Sequence, residues 1–177
     1  MALRTARSVA AGPAYRILGI DPGSQVTGAA IVEFRGTKGT VVRALSIRLK
    51  GTLSARLVAL SRAVAELIDT HKPDVAAIEN VFLSNNPRSA LILGHARGVL
   101  VYTLAQTGLP VYEYDATKIK QATLGYGRAS KQEIQRLLQM EFGLTRPLPK
   151  DASDALAVAY CHQMMHNAPG GPLGKRV

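Results

Sequence analysis

The feature that most constrains the fold is the order of apolar segments along the chain. Three strand-like runs, at 15–21, 27–34 and 40–49, come first and are separated only by short turns. A segment with apolar residues at helical spacing follows at about 54–71. Strand-like and helical segments then alternate along the rest of the chain. This order predicts an α/β fold in which helices flank a five-stranded mixed sheet.

The alternating part of the chain contains two further strands and four helices. Their expected ranges are 72–80 and 109–115 for the strands, and 87–106, 116–125, 130–143 and 150–166 for the helices. Ser130 and Glu133 have the spacing of a capping box at a helix start. The helix from Pro87 is apolar nearly all round and contains Gly94 and Gly98, so it is a candidate dimer interface as well as a core element.

Composition and charge limit the class of protein. With 177 residues, 47% of them hydrophobic, the chain can form one domain with a full core. It has no apolar run of membrane-spanning length, so we expect a soluble protein with no membrane partner. The single cysteine, Cys161, excludes an internal disulfide and favours a cytoplasmic location. The net charge of +10 favours a nucleic-acid partner over a merely solubilising role.

Both ends of the chain are expected to lie outside this domain. Residues 1–14 are basic and carry no acidic residue, which predicts a disordered extension or a segment similar to a transit peptide. Residues 167–177 are rich in Gly and Pro, which predicts a disordered tail. The domain itself then spans 15–166.

Four acidic residues stand where the fold could bring them together. Asp21 and Glu79 each end a strand-like run, and Asp151 and Asp154 lie three residues apart on one face of the last helix. Taken singly, they have simpler explanations as a turn residue, an ion-pair partner and acids that favour the helix dipole. Ligands of open α/β sheets gather beyond the carboxyl ends of the strands, so the combination favours one shared site.

Four crowded carboxylates would repel one another unless a cation were bound between them. Mg²⁺ or Mn²⁺ prefers such oxygen ligands. Two ions about 3.5–4 Å apart could activate a water and stabilise the leaving oxygen of a phosphodiester. The cluster therefore predicts metal-dependent phosphodiester hydrolysis.

Six segments of the sequence resemble the RuvC family of bacterial Holliday junction resolvases. They are LGIDPGS, GAAIVE, AIENVF, GHARGV, VYEYDATKIKQATLGYGRASK and DASDALAVA. The resemblance spans about 15–166. It implies an RNase H-like fold, a homodimer, two divalent metal ions per active site, and paired symmetric nicks across a four-way DNA junction. It also implies partnership with the RuvA–RuvB branch-migration motor, in homologous recombination and DNA repair.

The same motifs assign roles to individual residues. Asp21, Glu79, Asp151 and Asp154 match the four catalytic and metal-binding acids of the family. Phe82 matches an aromatic residue that stacks on a base near the junction centre. Two lysines match family lysines that contact the DNA or the scissile region, namely Lys120 and Lys131.

Further DNA contacts are predicted from charge and position alone. Arg88, Lys118 and Arg128 could contact backbone phosphates, although each could equally be a solvated surface charge. Tyr126 could stack on a base or pack against the protein, and the sequence favours neither. His162 and His166, near the end of the last helix, are expected to act as cations at the helix C-terminus.

Four departures from the family pattern stand out, and all but the one at His95 bear on DNA contacts. One is the sequence SNN at 84–86 in place of the usual AKN, which removes a positive charge from that loop. Leu83 replaces a second aromatic residue after Phe82, and Asp115 adds a negative charge where a small neutral residue is usual. His95 stands where glutamine is common. None of these positions is one of the four acids.

Three other classes of protein share part of the pattern. An actin-like ATPase or sugar kinase has a similar first phosphate loop, but a second Asp-Gly loop is not visible. A proofreading exonuclease would carry Glu at the position of Gly23. A non-catalytic junction-binding protein would explain the charge but not four converging acids.

Overall fold

The computed structural model describes residues 13–80, 86–128, 130–167 and 174–177. The strands, β1 to β6, are Tyr15–Asp21, Val26–Arg35, Lys38–Arg48, Val75–Glu79, Val111–Tyr114 and Lys175–Arg176. The helices, α1 to α5, are Leu53–His71, Pro87–Gln106, Ala116–Leu124, Lys131–Glu141 and Lys150–Asn167.

The six strands form one mixed sheet with the order β3-β2-β1-β4-β5-β6. Strands β1, β2 and β3 are antiparallel neighbours, whereas β4 and β5 run parallel to β1. As a result, β1, β3, β4 and β5 all end at the same edge of the sheet. The α/β class and the mixed sheet flanked by helices are confirmed.

The sheet has one strand more than the five that the sequence predicts. The additional strand, β6, lies in the segment expected to be a disordered tail and pairs antiparallel with β5. A Cβ atom on Gly174 would lie 2.3 Å from the carbonyl oxygen of Glu113, so glycine permits this close approach. The prediction of disorder from the glycine content of the tail is therefore wrong for residues 174–177, because Gly174 permits β6 to pair with β5. The basic extension at 1–12 and residues 168–173 of the tail lie outside the described residues.

Helices cover both faces of the sheet and form two cores. Helices α1 and α2 pack on one face through apolar side chains that include Leu60, Val64 and Leu100. Helices α3, α4 and α5 pack on the other face around Ile119, Leu138 and a run of small residues in α5. Side chains alternate between the two faces along each strand, so every second residue of β1 faces α5.

Two glycines bring α5 close to the sheet. A Cβ atom on Gly19 would lie 2.2 Å from the carbonyl oxygen of Ala155. A Cβ atom on Gly28 would lie 1.9 Å from the carbonyl oxygen of Asp151. Any larger residue would push the helix away, so these glycines seat its first turns directly on β1 and β2.

The far end of α5 differs from the sequence expectation. His162 is fully buried, with Nδ1 2.8 Å from the Tyr114 hydroxyl and Nε2 3.2 Å from the Tyr15 hydroxyl. Burial, with a smaller effect of His166, lowers the pKa of His162 to about 4. The interpretation of His162 as a cation at the helix end is therefore wrong, because this part of α5 packs against the side chains of Tyr15 and Tyr114, whereas only His166 and Asn167 at the end of the helix are exposed.

Candidate active site

The site begins with a row of residues across the carboxyl edge of the sheet. Asp21 of β1 pairs with Gly28 of β2, which pairs in turn with Ser46 of β3. On the other side, Ile20 pairs with Ile78, so the next residues, Asp21 and Glu79, end adjacent parallel strands. The side chains of Asp21, Ser46 and Glu79 lie on the face of the sheet that α5 covers, whereas Ile20 and Ile78 face the core formed with α1 and α2.

Helix α5 contributes two more carboxylates to this edge. Its first turn crosses β2 at Gly28, where only glycine leaves room for the Asp151 backbone. The Ser46 hydroxyl donates a hydrogen bond to Asp151 Oδ2, at 3.2 Å, and fixes that side chain against β3. Asp154 follows one turn later on the same face of the helix.

Burial and neighbouring charges shift the pKa values of two of these carboxyl groups, Asp21 and Glu79. Burial, followed by the charges of Glu79, Asp154 and more weakly Asp151, raises the pKa of Asp21 to about 7. Burial and the Asp154 charge also raise the pKa of Glu79, while a hydrogen bond with Asp21 opposes that shift. Asp21, Glu79, Asp151 and Asp154 therefore lie near one another, and the four are here called the acidic cluster.

The acidic cluster offers the type of donor atom that a divalent cation prefers. Its donors are all carboxylate oxygens, which Mg²⁺ and Mn²⁺ prefer, and a bound cation would relieve the repulsion that raises the pKa of Asp21. Within the described ranges, no three acidic, histidine or cysteine side chains converge closely enough to hold an ion by themselves. Water and substrate would therefore complete the coordination, which is usual for Mg²⁺.

Comparison with known proteins identifies the family. The model of the family described as crossover junction endodeoxyribonuclease RuvC matches residues 17–162. A RuvC of Geotalea uraniireducens is 44% identical over 149 residues, which cover 83% of this chain and 87% of the relative. A RuvC of Alkalilimnicola ehrlichii is 46% identical over 154 residues, which cover 86% and 92%.

This chain belongs to the RuvC family. The solved structure of T. thermophilus RuvC in complex with a Holliday junction substrate superposes with a TM-score of 0.86, at 26% identity. That alignment covers 92% of this chain and 99% of the T. thermophilus chain. Relatives that align with 83% of the chain at 44% and 46% identity are named crossover junction endodeoxyribonucleases, so the protein is a nuclease of that hydrolase class. In the described part of the chain, no helix is long and apolar enough to cross a membrane.

Two of the lysines singled out by the RuvC resemblance lie beside the acidic cluster. Lys131 Nζ is 2.8 Å from Asp154 Oδ2. Burial lowers the pKa of Lys131, but the hydrogen bond with Asp154 and the nearby acids outweigh it and raise the pKa overall. Lys120 is close enough to lower the pKa of Glu79. Both lysines line a cavity of about 160 Å³ whose wall also contains Glu79 and Asp154.

The other predicted DNA contacts are distributed differently. Lys118 lies two residues, or about 200°, from Lys120 around α3. Its charge slightly opposes the rise that burial causes in the pKa of the Cys161 thiol. The Tyr126 hydroxyl donates to Glu133 Oε1 at 3.0 Å, and its side chain is half exposed. Arg88 and Arg128 are exposed on α2 and before α4.

The positions that depart from the family pattern lie in different parts of the chain. Phe82 and Leu83 lie outside the described residues. Asp115, expected to add charge near the DNA, accepts a hydrogen bond from Asn80 Nδ2 at 3.1 Å and so links the ends of β4 and β5. His95 is exposed on α2.

Sequence reasoning missed two side chains that support the acids. Ser46 holds Asp151, as described above. Arg56 of α1 donates from Nη1 to the carbonyl oxygen of Ser24, at 2.9 Å, and so holds the turn that follows Asp21. The signal for Ser46 was present in the alternation Ala44, Ser46, Arg48 along β3, but only the register with β2 shows that it lies beside the acids.

Proposed function

We propose that this protein cuts four-way DNA junctions by metal-dependent hydrolysis, through the acidic cluster. The observation that carries the proposal is the convergence of Asp21, Glu79, Asp151 and Asp154 at one edge of the sheet, where burial and the neighbouring carboxylates raise the pKa of Asp21 and of Glu79. Such crowding of carboxylates disfavours folding, and binding of divalent cations for catalysis accounts for it. The relative from T. thermophilus was solved with a Holliday junction substrate, which supports the same substrate here.

The four acids would hold two Mg²⁺ or Mn²⁺ ions. The metal site would supply a water activated for attack and would neutralise charge at the leaving oxygen. Ser46 would keep Asp151 in the orientation needed for coordination, as groups that hydrogen-bond to metal ligands commonly do. Arg56 would likewise keep Asp21 in the orientation needed for coordination, because it holds the turn that follows Asp21.

The lysines beside the acidic cluster would contact the DNA. Lys120 and Lys131 line the cavity next to Glu79 and Asp154, so their ammonium groups could reach phosphates of the strand that is cut. Arg88, Arg128 and Tyr126 would contact DNA farther from the acids. Phe82 would stack on a base near the junction centre, by its match to the family motif. Lys118 has less support than Lys120 and Lys131, because it does not line the cavity beside Glu79 and Asp154.

We also infer a homodimer, since a four-way junction cut symmetrically calls for two active sites related by a two-fold axis. Helix α2 offers an apolar groove of about 700 Å³ that Leu57, Leu91 and Val99 help to line. Leu91 is 62% exposed, and added Cβ atoms on Gly94 and Gly98 would meet nothing within 4 Å. A second copy of α2 could therefore approach closely along this face.

Three parts of the proposal rest on family membership alone. They are partnership with the RuvA–RuvB complex, a role in homologous recombination and DNA repair, and a cytoplasmic location.

The direct test compares a synthetic four-way junction with a linear duplex of the same sequence, with and without Mg²⁺ or Mn²⁺. We expect paired nicks at symmetric positions of the junction, only with metal, and little cutting of the duplex. Equal cutting of both substrates would contradict the structural specificity. Binding without cutting at any metal concentration would favour a non-catalytic junction-binding protein.

A further inference from the structure

One stretch of the chain is basic without compensating acids. No Asp or Glu occurs at 34–65, where seven Lys or Arg residues stand. This stretch contains all of β3, an edge strand of the sheet, and most of α1. The register of β3 shows which of these cations lies near the acidic cluster.

Strand register places Arg48 beside the acidic cluster. Ser46 is on the face of β3 that meets α5, because its hydroxyl contacts Asp151. Arg48 lies two residues farther along, hence on the same face, at the last position of β3 and paired with Val26. Adjacent strands are about 4.8 Å apart, so β3 runs roughly 10 Å from β1 and Asp21.

Helix α5 adds a second cation on this side. Lys150 is the first residue of α5 and directly precedes Asp151. The hydrogen bond between Ser46 and Asp151 holds this first turn against the end of β3. Arg48 and Lys150 therefore flank that contact, on the side of the acidic cluster away from Lys120 and Lys131.

Both side chains are available to a ligand. Arg48 and Lys150 are exposed, and neither forms an ion pair with any residue that the structure describes. Other cations of the chain are already paired, including Arg16 with Glu33 and Arg97 with Glu113. Two unpaired cations beside a group of buried acids would find their counter-charge in an anionic ligand.

The geometry points to a second phosphate-binding site, formed by Arg48 and Lys150, for the strand that crosses the acidic cluster. Lys120 and Lys131 would contact the strand on one side of the scissile phosphate, and Arg48 and Lys150 would contact it on the other. Two basic sides would draw the strand across carboxylates that otherwise repel it. This inference rests on the proposed function, because it takes the ligand to be DNA at the acidic cluster.

The test measures junction affinity against salt without divalent cations, for wild type, Arg48→Gln and Lys150→Gln. Each lost phosphate contact should reduce the slope of log association constant against log salt by about 0.9. Affinity near 0.1 M salt should fall roughly two- to ten-fold for each variant. The matched control is Lys38→Gln, which removes one positive charge from the opposite end of β3 and should leave the slope unchanged.

Junctions that carry a single neutral methylphosphonate localise the contact. At one position flanking the cut, the modification should weaken junction binding by wild type but should not further weaken junction binding by Arg48→Gln. If both variants match Lys38→Gln in slope and affinity while wild type binds and cuts junctions, the second phosphate site is wrong and the proposed function stands. If wild type neither prefers nor cuts junctions, the proposed function fails and this inference fails with it.

Discussion

Ser46 of β3 and Asp151 of α5 are 105 residues apart in the chain and joined by a hydrogen bond of 3.2 Å between Oγ and Oδ2. The bond occupies one oxygen of the carboxylate and leaves the other available for a cation. It also connects the edge strand with the helix that supplies two of the four acids. The position of Asp151 therefore depends on a residue outside the acidic cluster.

Replacing Ser46 tests this dependence. Ser46→Ala should lower the nicking rate about ten-fold, because loss of a hydrogen bond to a metal ligand commonly costs 10–100-fold in metal affinity or activity. Binding of Mn²⁺ to the DNA-free protein, followed by calorimetry, should weaken as well. Ser46→Thr keeps the hydroxyl and should recover most of both values. Equal metal affinity of wild type and Ser46→Ala would show that the hydrogen bond does not orient Asp151 for metal binding.

Asp21→Asn should stabilise the DNA-free, metal-free protein at neutral pH. The folded-state pKa of Asp21 is about 7, above its ordinary value of 3.8, so ionisation on going from pH 4 to 7 disfavours the folded state. One pKa unit corresponds to about 1.4 kcal/mol, and 1 kcal/mol shifts Tm by about 2–4 °C in a chain of this size. We expect a gain of several degrees at pH 8, measured with EDTA, that disappears below about pH 4.

Addition of Mg²⁺ should stabilise wild type more than it stabilises Asp21→Asn. A bound cation should raise the Tm of wild type and raise that of Asp21→Asn less, because the amide is a poorer ligand. Equal melting temperatures of the two proteins in EDTA at pH 8 would contradict the crowding of carboxylates at this position.

His162 should make stability depend on pH in the opposite sense. Its folded-state pKa is about 4, below the ordinary 6.5, so only the unfolded chain gains a proton between these values. The contribution of this residue is complete above pH 6.5 and is lost as the pH falls to 4, by up to about 3 kcal/mol.

Urea unfolding of His162→Phe at several pH values measures this contribution. The difference in the free energy of unfolding, wild type minus variant, should decrease from pH 7 to pH 4. Loss of the hydrogen bonds to Tyr15 and Tyr114 lowers the stability of the variant at every pH, so only the change of the difference with pH is diagnostic. A difference that is constant between pH 7 and pH 4 would contradict a buried neutral histidine.

The acids at the sheet edge could be predicted from the sequence because their signal is local. Asp21 and Glu79 each end an apolar run, and Asp151 and Asp154 have helical spacing, so the strand and helix pattern was enough to bring them together. For Ser46 and Arg48 the alternation along β3 shows only that they share a face, and for Arg56 there is no local signal. Their positions depend on which strands pair and in which register, which a single sequence does not specify.

The two errors of the sequence analysis have a common physical origin. Glycines in the tail indicated disorder, but Gly174 permits close pairing of β6 with β5. The spacing of His162 and His166 indicated a solvated helix end, but burial depends on how far α5 extends beneath the sheet. Composition and spacing describe the backbone locally, whereas tertiary packing decides whether a residue meets solvent or another element.

The most direct test of the account is the nicking of a four-way junction by four variants, each with one acid of the cluster changed to its amide. The variants are Asp21→Asn, Glu79→Gln, Asp151→Asn and Asp154→Asn, with Glu66→Gln on the exposed side of α1 as the control. Each cluster variant should cut roughly 100-fold more slowly or worse while binding the junction nearly normally, since binding depends on the basic residues. The control should match wild type. Wild-type cutting rates in two or more cluster variants would show that the acidic cluster is not the catalytic centre.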